Sequence, residues 1–335
     1  MATIAFYGID TNDEKFFAQE FAQAQHTVHW HHGKIELDSL DPSTEVLSVF
    51  VTTPVTRQII QALPKLRFIA TRSTGIDHID LQAAREHNIT IANVPAYGSS
   101  TVAEYTFVLL LMLTRHMPEV LHQVTSTDPN RSLERGTDLY GKTIGIIGTG
   151  KIGLCSARIA KGFGMQILGY DVKQNPAAAA ELGFDYTDIK TLLAKSDVIT
   201  LHIPYVPENH HFLDKTLLNH CKPGAILINT ARGELVDTGA LVQSLKKGQL
   251  SAAALDVLES EYLLDPDELV TLAIHDDAAK ATLRHAVSLA ALQRMPNVLI
   301  TNHNAYNTAE AVQRINQTIA SRINDFLAGK AVLGV

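Results

Sequence analysis

Thr143-Ile144-Gly145-Ile146-Ile147-Gly148-Thr149-Gly150-Lys151-Ile152-Gly153 is the stretch on which the fold turns. Its first five residues, mostly β-branched, have the makeup of a short strand buried on both faces. The G-x-G-x-x-G that follows is weak evidence alone, but here its neighbours are right. Leu154–Phe163 continues with helix-compatible spacing, and Gln166–Tyr170 reads as a second strand ending at Asp171. In such a unit the first glycine permits a tight turn and the second lets backbone approach a pyrophosphate. The third lets helix and strand pack closely. Free N–H groups at the helix start then meet the phosphate charge. Asp171, 18 residues beyond Gly153, would accept hydrogen bonds from ribose hydroxyls and repel a 2′-phosphate. NAD is therefore expected over NADP, with Lys173 a weak argument the other way.

The same strand–helix rhythm runs outward in both directions. Upstream, strands are predicted at Ile4–Tyr7, Thr27–Trp30, Val46–Val51, Arg67–Ala70 and Ile89–Ala92, with helices near 11–24, 55–63 and 79–87. One long apolar helix is predicted over Thr101–Val124, with Ser99 and Ser100 as its capping candidates. A polar connection, Thr125–Leu139, leads into the glycine-loop series. Further strands are predicted at Val198–His202, Ala225–Asn229, Ala252–Asp256 and Val298–Thr301, and a final helix at Thr308–Leu327. Leu263–Arg294 interrupts the rhythm with a helical, mixed-charge insertion. The fold class is α/β: two Rossmann-like, doubly wound domains with parallel sheets and a cleft between them. The expected division is 1–100 plus 304–335 for one domain and 101–303 for the NAD-binding domain.

Bulk composition excludes several classes. The 335 residues are 46% apolar and 19% charged, with a net charge of −7 and no Lys/Arg run. That argues against nucleic acid, which wants a clustered basic face. The longest apolar run, Phe107–Leu113, is far short of the roughly 20 residues a membrane span needs. No signal-peptide pattern opens the chain, and two cysteines suggest no disulfide framework. A cytoplasmic protein is expected. His26, His29, His31 and His32 lack the Cys or acidic company of a metal centre, so no metal is expected. His210 and His211 read as loop or helix-start residues.

Three strand ends carry chemistry. Ala225–Asn229 runs into Thr230-Ala231-Arg232-Gly233, Ala252–Leu255 into Asp256 with Glu261 beyond it, and Val298–Thr301 into Asn302-His303. Open α/β sheets place ligands at these carboxyl ends. An arginine there offers a planar fork that matches a carboxylate, and a histidine offers a proton near neutral pH. Glu259 is the alternative acid to Glu261.

Ordered motifs extend this pattern over almost the whole chain. They include Ser73-Thr74-Gly75-Ile76-Asp77-His78-Ile79-Asp80, Asn93-Val94-Pro95-Ala96-Tyr97, the glycine loop, and Leu201-His202-Ile203-Pro204. Others are Lys222–Gly233, Leu255-Asp256-Val257-Leu258-Glu259-Ser260-Glu261 and Asn297–His303. Together they resemble the D-isomer-specific 2-hydroxyacid dehydrogenases, and most of all their D-lactate dehydrogenase branch.

The resemblance implies an NAD-dependent oxidoreductase moving a hydride between the cofactor and a short 2-keto or 2-hydroxy acid, such as pyruvate and D-lactate. It implies that Arg232 grips the substrate carboxylate, that His303 is the acid–base, and that Glu261 pairs with His303. It places Gly148, Gly150, Lys151, Ile152, Gly153, Asp171, Ile203, Pro204, Asn209, Thr230, Ala231, Arg232 and Asp256 at cofactor positions, Asp256 on the nicotinamide side. Phe50, Thr74, Gly75 and Tyr97 would meet the substrate with Arg232 and His303. A homodimer is expected. Asn302 stands where the family usually has proline, and the segment after Glu261 differs from most relatives. The alternatives are a glyoxylate or hydroxypyruvate reductase, or a dinucleotide-sensing regulator of the same fold.

Overall fold

A computed structural model describes residues 1–23, 25–125, 135–260 and 279–332. The chain divides into two compact units, Met1–Tyr97 with Asn307–Val335, and Gly98–Tyr306. Each is built on one sheet of parallel strands.

The first unit opens with β1 (Thr3–Tyr7), α1 (Thr11–Phe21), β2 (Thr27–His31) and β3 (Val46–Val49). It continues through α2 (Arg57–Ala62), β4 (Phe68–Thr71), α3 (Leu81–Glu86) and β5 (Thr90–Ala92). The sheet order is β2-β1-β3-β4-β5, so the direction of winding reverses between β1 and β3. Burial explains the near-continuous apolar strands: β3 and β4 are buried at every position, as a sheet covered on both faces requires. The closing helix Ala309–Leu327 supplies part of that cover, stacking Phe326 on Phe68 at 4.5 Å and donating from Asn316 Nδ2 to Asp13 Oδ1.

The second unit starts with α4 (Ser99–Thr114) and α5 (Met117–Thr125), then β6 (Thr143–Ile147), α6 (Lys151–Gly162), β7 (Gln166–Tyr170) and α7 (Pro176–Leu182). After β8 (Asp185–Tyr186) come α8 (Ile189–Lys195), β9 (Val198–Leu201), α9 (Lys215–Leu218), β10 (Ala225–Asn229) and α10 (Thr238–Lys246). β11 (Leu250–Leu255), helix Ala279–Gln293 and β12 (Val298–Ile300) complete it. The order β12-β11-β10-β9-β6-β7-β8 puts the switch point between β6 and β9, directly beneath the glycine loop. Ligands of open α/β sheets collect at such a point.

The long helix expected over Thr101–Val124 is two helices. Pro118 is the cause: it has no N–H to give to the Thr114 carbonyl four residues back. The Thr137 N–H takes that carbonyl instead, at 2.8 Å, and His116 turns left-handed at φ 49°. The capping expectation also changes. Ser99 and Ser100 lie inside α4, whose N-cap is Gly98. Residues 126–134 of the expected connection and 263–278 of the expected insertion lie outside the described residues. Among the described residues no helix is long and apolar enough to cross a membrane.

Gly145, in β6, admits α8. A Cβ there would stand 2.3 Å from Leu192 Cδ2 and 2.5 Å from Ser196 Oγ, both well inside contact distance. Gly145→Ala should therefore overpack this layer and cost about 1–3 kcal/mol. Urea unfolding measures it, and an unchanged midpoint would contradict the packing described.

Candidate active site

Helix starts in this protein are generally closed by their own side chains. Asp10, Thr56, Asp80, Asn175, Asp188, Asp214, Asp237 and Thr308 each accept an N–H from the first turn. The start of α6 is different. Its N-cap is Gly150, with no side-chain cap, and nothing lies within 4 Å of where a Cβ would be. First-turn N–H groups left without a side chain are what an anionic ligand seeks.

The flanking glycines are dictated by contact. Gly148 sits at φ 95°, its Cβ position 2.6 Å from the carbonyl carbon of His202, and a Cβ on Gly153 would fall 1.9 Å from the Gly148 oxygen. At the tip of β7, Asp171 accepts the Thr149 N–H at 2.6 Å and the Lys173 N–H at 2.9 Å. Its carboxylate is thus held beside the loop, half-buried, where a ribose would lie. The arrangement fits a dinucleotide.

The other expected cofactor positions also cluster at this end of the sheet. Lys151 is exposed and Ile152 half-buried at the start of α6. Ile203 and the exposed Pro204 follow β9, and Asn209 ties that loop together, accepting from Val206 N and donating to Pro204 O. Thr230 is 9% exposed and its hydroxyl meets that of Thr106 in α4, leaving the half-buried Ala231 as the more open of the pair.

β10, β11 and β12 are neighbours, with Asn229, Leu255 and Ile300 in register across them. Arg232 and His303 each stand three residues beyond that row. Two interstrand spacings separate their strands, roughly 10 Å. Between them lies Asp256, which is fully buried. Its Oδ1 accepts the Thr301 hydroxyl at 2.6 Å and the Asn304 N–H at 2.8 Å, and its Oδ2 accepts the Ala305 N–H at 2.8 Å. The His303 N–H donates to the Asp256 carbonyl at 2.9 Å. These bonds tie the Asp256 carboxylate to the turn that carries His303. That turn needs bracing, because His303 is held left-handed at φ 45°.

Arg232 is half-buried and caps its own turn, with Asn229 Nδ2 donating to its carbonyl. Glu261 lies outside the described residues. Glu259, the alternative partner for His303, faces elsewhere, with its Oε2 2.9 Å from His211 Nε2.

In the first unit, Phe50 follows β3, Thr74 and Gly75 follow β4, and Tyr97 lies beyond β5. Asn93 Nδ2 donates to the Thr74 carbonyl at 2.6 Å, and Ser73 Oγ to the Gly75 carbonyl at 2.6 Å. In a trans peptide the N–H points opposite its carbonyl, so holding the Thr74 oxygen aims the Gly75 N–H away from Asn93. Arg72, 2% exposed, reaches back to the carbonyls of Tyr7 and Gly8 and to Ser48 Oγ, binding three strand ends together. Arg72 stands just before the Ser73–Asp80 motif and outside the expected site residues, although an arginine closing a buried strand is its own signal.

His202, within the Leu201–Pro204 motif, carries no expected role. Its Nε2 lies 3.0 Å from Ser156 Oγ in α6, its Nδ1 is buried without a partner, and burial pushes its pKa down to about 3. The unfolded chain therefore takes up this proton first, near the ordinary value of 6.5, and stability should fall as pH drops from there toward about 3. Urea unfolding of His202→Gln should show a shallower loss over that window. A profile identical to that of the parent protein would refute this account.

Comparison with known proteins agrees with this geometry. Residues 107–305 match the family model "D-isomer specific 2-hydroxyacid dehydrogenase, NAD binding domain". D-lactate dehydrogenase of Escherichia coli is 37% identical over 290 residues, 85% of this chain and 84% of that protein. Glyoxylate reductase of Thermococcus litoralis is 34% identical over 293 residues, 85% and 81% of the two chains. The crystal structure of D-lactate dehydrogenase from Aquifex aeolicus, complexed with NAD and lactic acid, superposes with a TM-score of 0.84 at 32% identity, covering 97% and 96%. With an uncapped glycine loop at the switch point and Arg232 and His303 at the ends of β10 and β12, on either side of β11, the chain belongs to the D-isomer specific 2-hydroxyacid dehydrogenases, NAD-dependent oxidoreductases acting on the CH–OH group of 2-hydroxy acids.

Proposed function

We propose that this enzyme reduces pyruvate to D-lactate, reversibly, using NADH. The observation that carries the reading is the trio of adjacent strand ends, β10 to β12, presenting Arg232 and a His303 braced by Asp256. The named activity of the Escherichia coli relative supports pyruvate as the substrate.

Bound NADH supplies the hydride; the chain's own groups do the rest. The Arg232 guanidinium pairs with the substrate carboxylate through two parallel N–H donors, fixing which face of the carbonyl is presented. His303 gives its proton to the carbonyl oxygen as that oxygen gains charge, and takes it back in the oxidation. Glu261 is the proposed companion that favours the charged imidazole. Asp256 acts one step removed, by keeping the His303 turn in place. We assign Thr74 and Gly75 to the carboxylate as N–H donors, and Phe50 and Tyr97 to the substrate side chain. Gly148, Gly150, Lys151, Ile152, Gly153, Asp171, Ile203, Pro204, Asn209, Thr230, Ala231, Arg232 and Asp256 are assigned to NAD. Val108 and Leu121, exposed apolar residues of α4 and α5, support assembly as a homodimer through this unit, which light scattering reads directly.

A second reading, reduction of glyoxylate or hydroxypyruvate, draws on the Thermococcus relative. Family membership goes against the dinucleotide-sensing regulator. Catalytic efficiency on pyruvate, 2-ketoisocaproate, glyoxylate and hydroxypyruvate, with chiral analysis of the product, separates the two catalytic readings. Pyruvate should lead, and a higher efficiency on glyoxylate would reverse the order.

Replacing the proton donor in His303→Gln should lower kcat about 100- to 10,000-fold. Arg232→Gln should cost roughly 10- to 150-fold in kcat/KM through the lost charge-assisted bonds. In Asp256→Asn, misplacing His303 should lower kcat about 100-fold while NADH still binds. Near-normal turnover by Arg232→Gln or His303→Gln would remove the assignment.

A further inference from the structure

The loop after β9 and the loop after β11 bring a second chemical cluster together. His211 Nε2 lies 2.9 Å from Glu259 Oε2, and His210 Nε2 lies 3.8 Å from Glu259 Oε1. The ligand atoms of His210, His211 and Glu259 all fall within 4.8 Å of one another. Helix Ala279–Gln293 adds His285, whose Nδ1 is 3.8 Å from Glu259 Oε2.

Backbone conformation makes this convergence possible. Consecutive side chains on extended chain point to opposite sides, yet the rings of His210 and His211 stack at 3.9 Å with 23° between their planes. His211 manages this by turning left-handed at φ 52°, and Ser260, next to Glu259, does the same at φ 52°. Such conformations cost a non-glycine residue roughly 1–2 kcal/mol, and they gather where a site is built.

Hydrogen bonding at His285 leaves Nδ1 as the nitrogen nearer the Glu259 carboxylate. Its Nε2 lies 2.9 Å from the Glu259 carbonyl oxygen. A carbonyl only accepts, so this nitrogen carries a hydrogen and Nδ1 is the one that can serve as a metal ligand.

We propose that His210, His211 and Glu259, with His285 as fourth donor, form a binding site for a divalent transition-metal ion of the zinc type. Three imidazoles and one carboxylate suit zinc or its neighbours far better than magnesium or calcium, which prefer all-oxygen shells. Metal–ligand lengths of about 2.0–2.2 Å set tetrahedral donors roughly 3.4 Å apart, within the 2.9–3.8 Å range of the contacts to Glu259. His210, 43% exposed at its side chain, leaves a way in. The ion would pin two segments to the turn behind Arg232. The His211 N–H already donates to the Glu234 carbonyl at 2.8 Å, and a Cβ on Gly233 would lie 2.1 Å from the Glu259 nitrogen.

Titration of the chelator-treated full-length protein with Co2+ tests this. One equivalent per chain should develop the visible d–d bands of a tetrahedral centre. Zn2+ should abolish them and raise Tm. Glu259→Gln and His210→Gln should each weaken Co2+ binding at least tenfold, while His29→Gln, remote in sequence and in the other unit, should leave it unchanged. Tm of each metal-free variant checks folding, and the exposed His210 gives a variant expected to fold if Glu259→Gln does not. Absence of a saturable Co2+ spectrum, or full-strength binding in His210→Gln, overturns the proposal.

Discussion

A carboxylate with no exposure to water organises the catalytic end of this enzyme. Burying a charge is costly unless hydrogen bonds replace its hydration, and Asp256 finds them in the Thr301 hydroxyl and in the N–H groups of Asn304 and Ala305. Because those donors lie on both sides of His303, satisfying Asp256 and placing the imidazole are one event. The left-handed backbone at His303 is stabilised by the same bonds. β11 thus works through its neighbour: its own end residue is hidden, and what it determines is the conformation of the turn after β12.

Elsewhere in the protein turns are fixed by the same economy of buried polar groups. Arg72 satisfies two carbonyls at the end of β1 and a hydroxyl from β3, and so sets the start of the Ser73–Gly75 turn. Asn93 and Ser73 then fix the peptide planes within it. His202 links β9 to the helix that follows the glycine loop, through Ser156. None of these residues needs to touch a ligand to matter. Each removes conformational freedom from a turn that would otherwise have to be ordered on binding, and that ordering costs free energy.

Cys221 is not a reactive group. Burial pushes the Cys221 thiol up to about 12, which leaves it un-ionised and inert at neutral pH. The groups proposed to react are instead those at the carboxyl ends of β10 and β12, where backbone turns hold side chains at the end of a rigid sheet.

The sequence by itself determined the strand–helix alternation, the glycine loop with Asp171, and the strand ends that carry Arg232 and His303. These signals are local: apolar runs, turn residues and fixed spacings lie within a few residues of one another. The division of the expected long helix at His116 was also legible in Pro118, a signal that the apolar run obscured. Where polar groups point once buried followed from folding alone. Nothing in the sequence near Asp256 announces that its carboxylate binds residues 45 to 49 positions away. His210, His211, Glu259 and His285 are unremarkable in a linear reading and adjacent in space. Hydrogen bonds between distant segments depend on register between strands, and register belongs to the sheet as a whole rather than to any one stretch of chain.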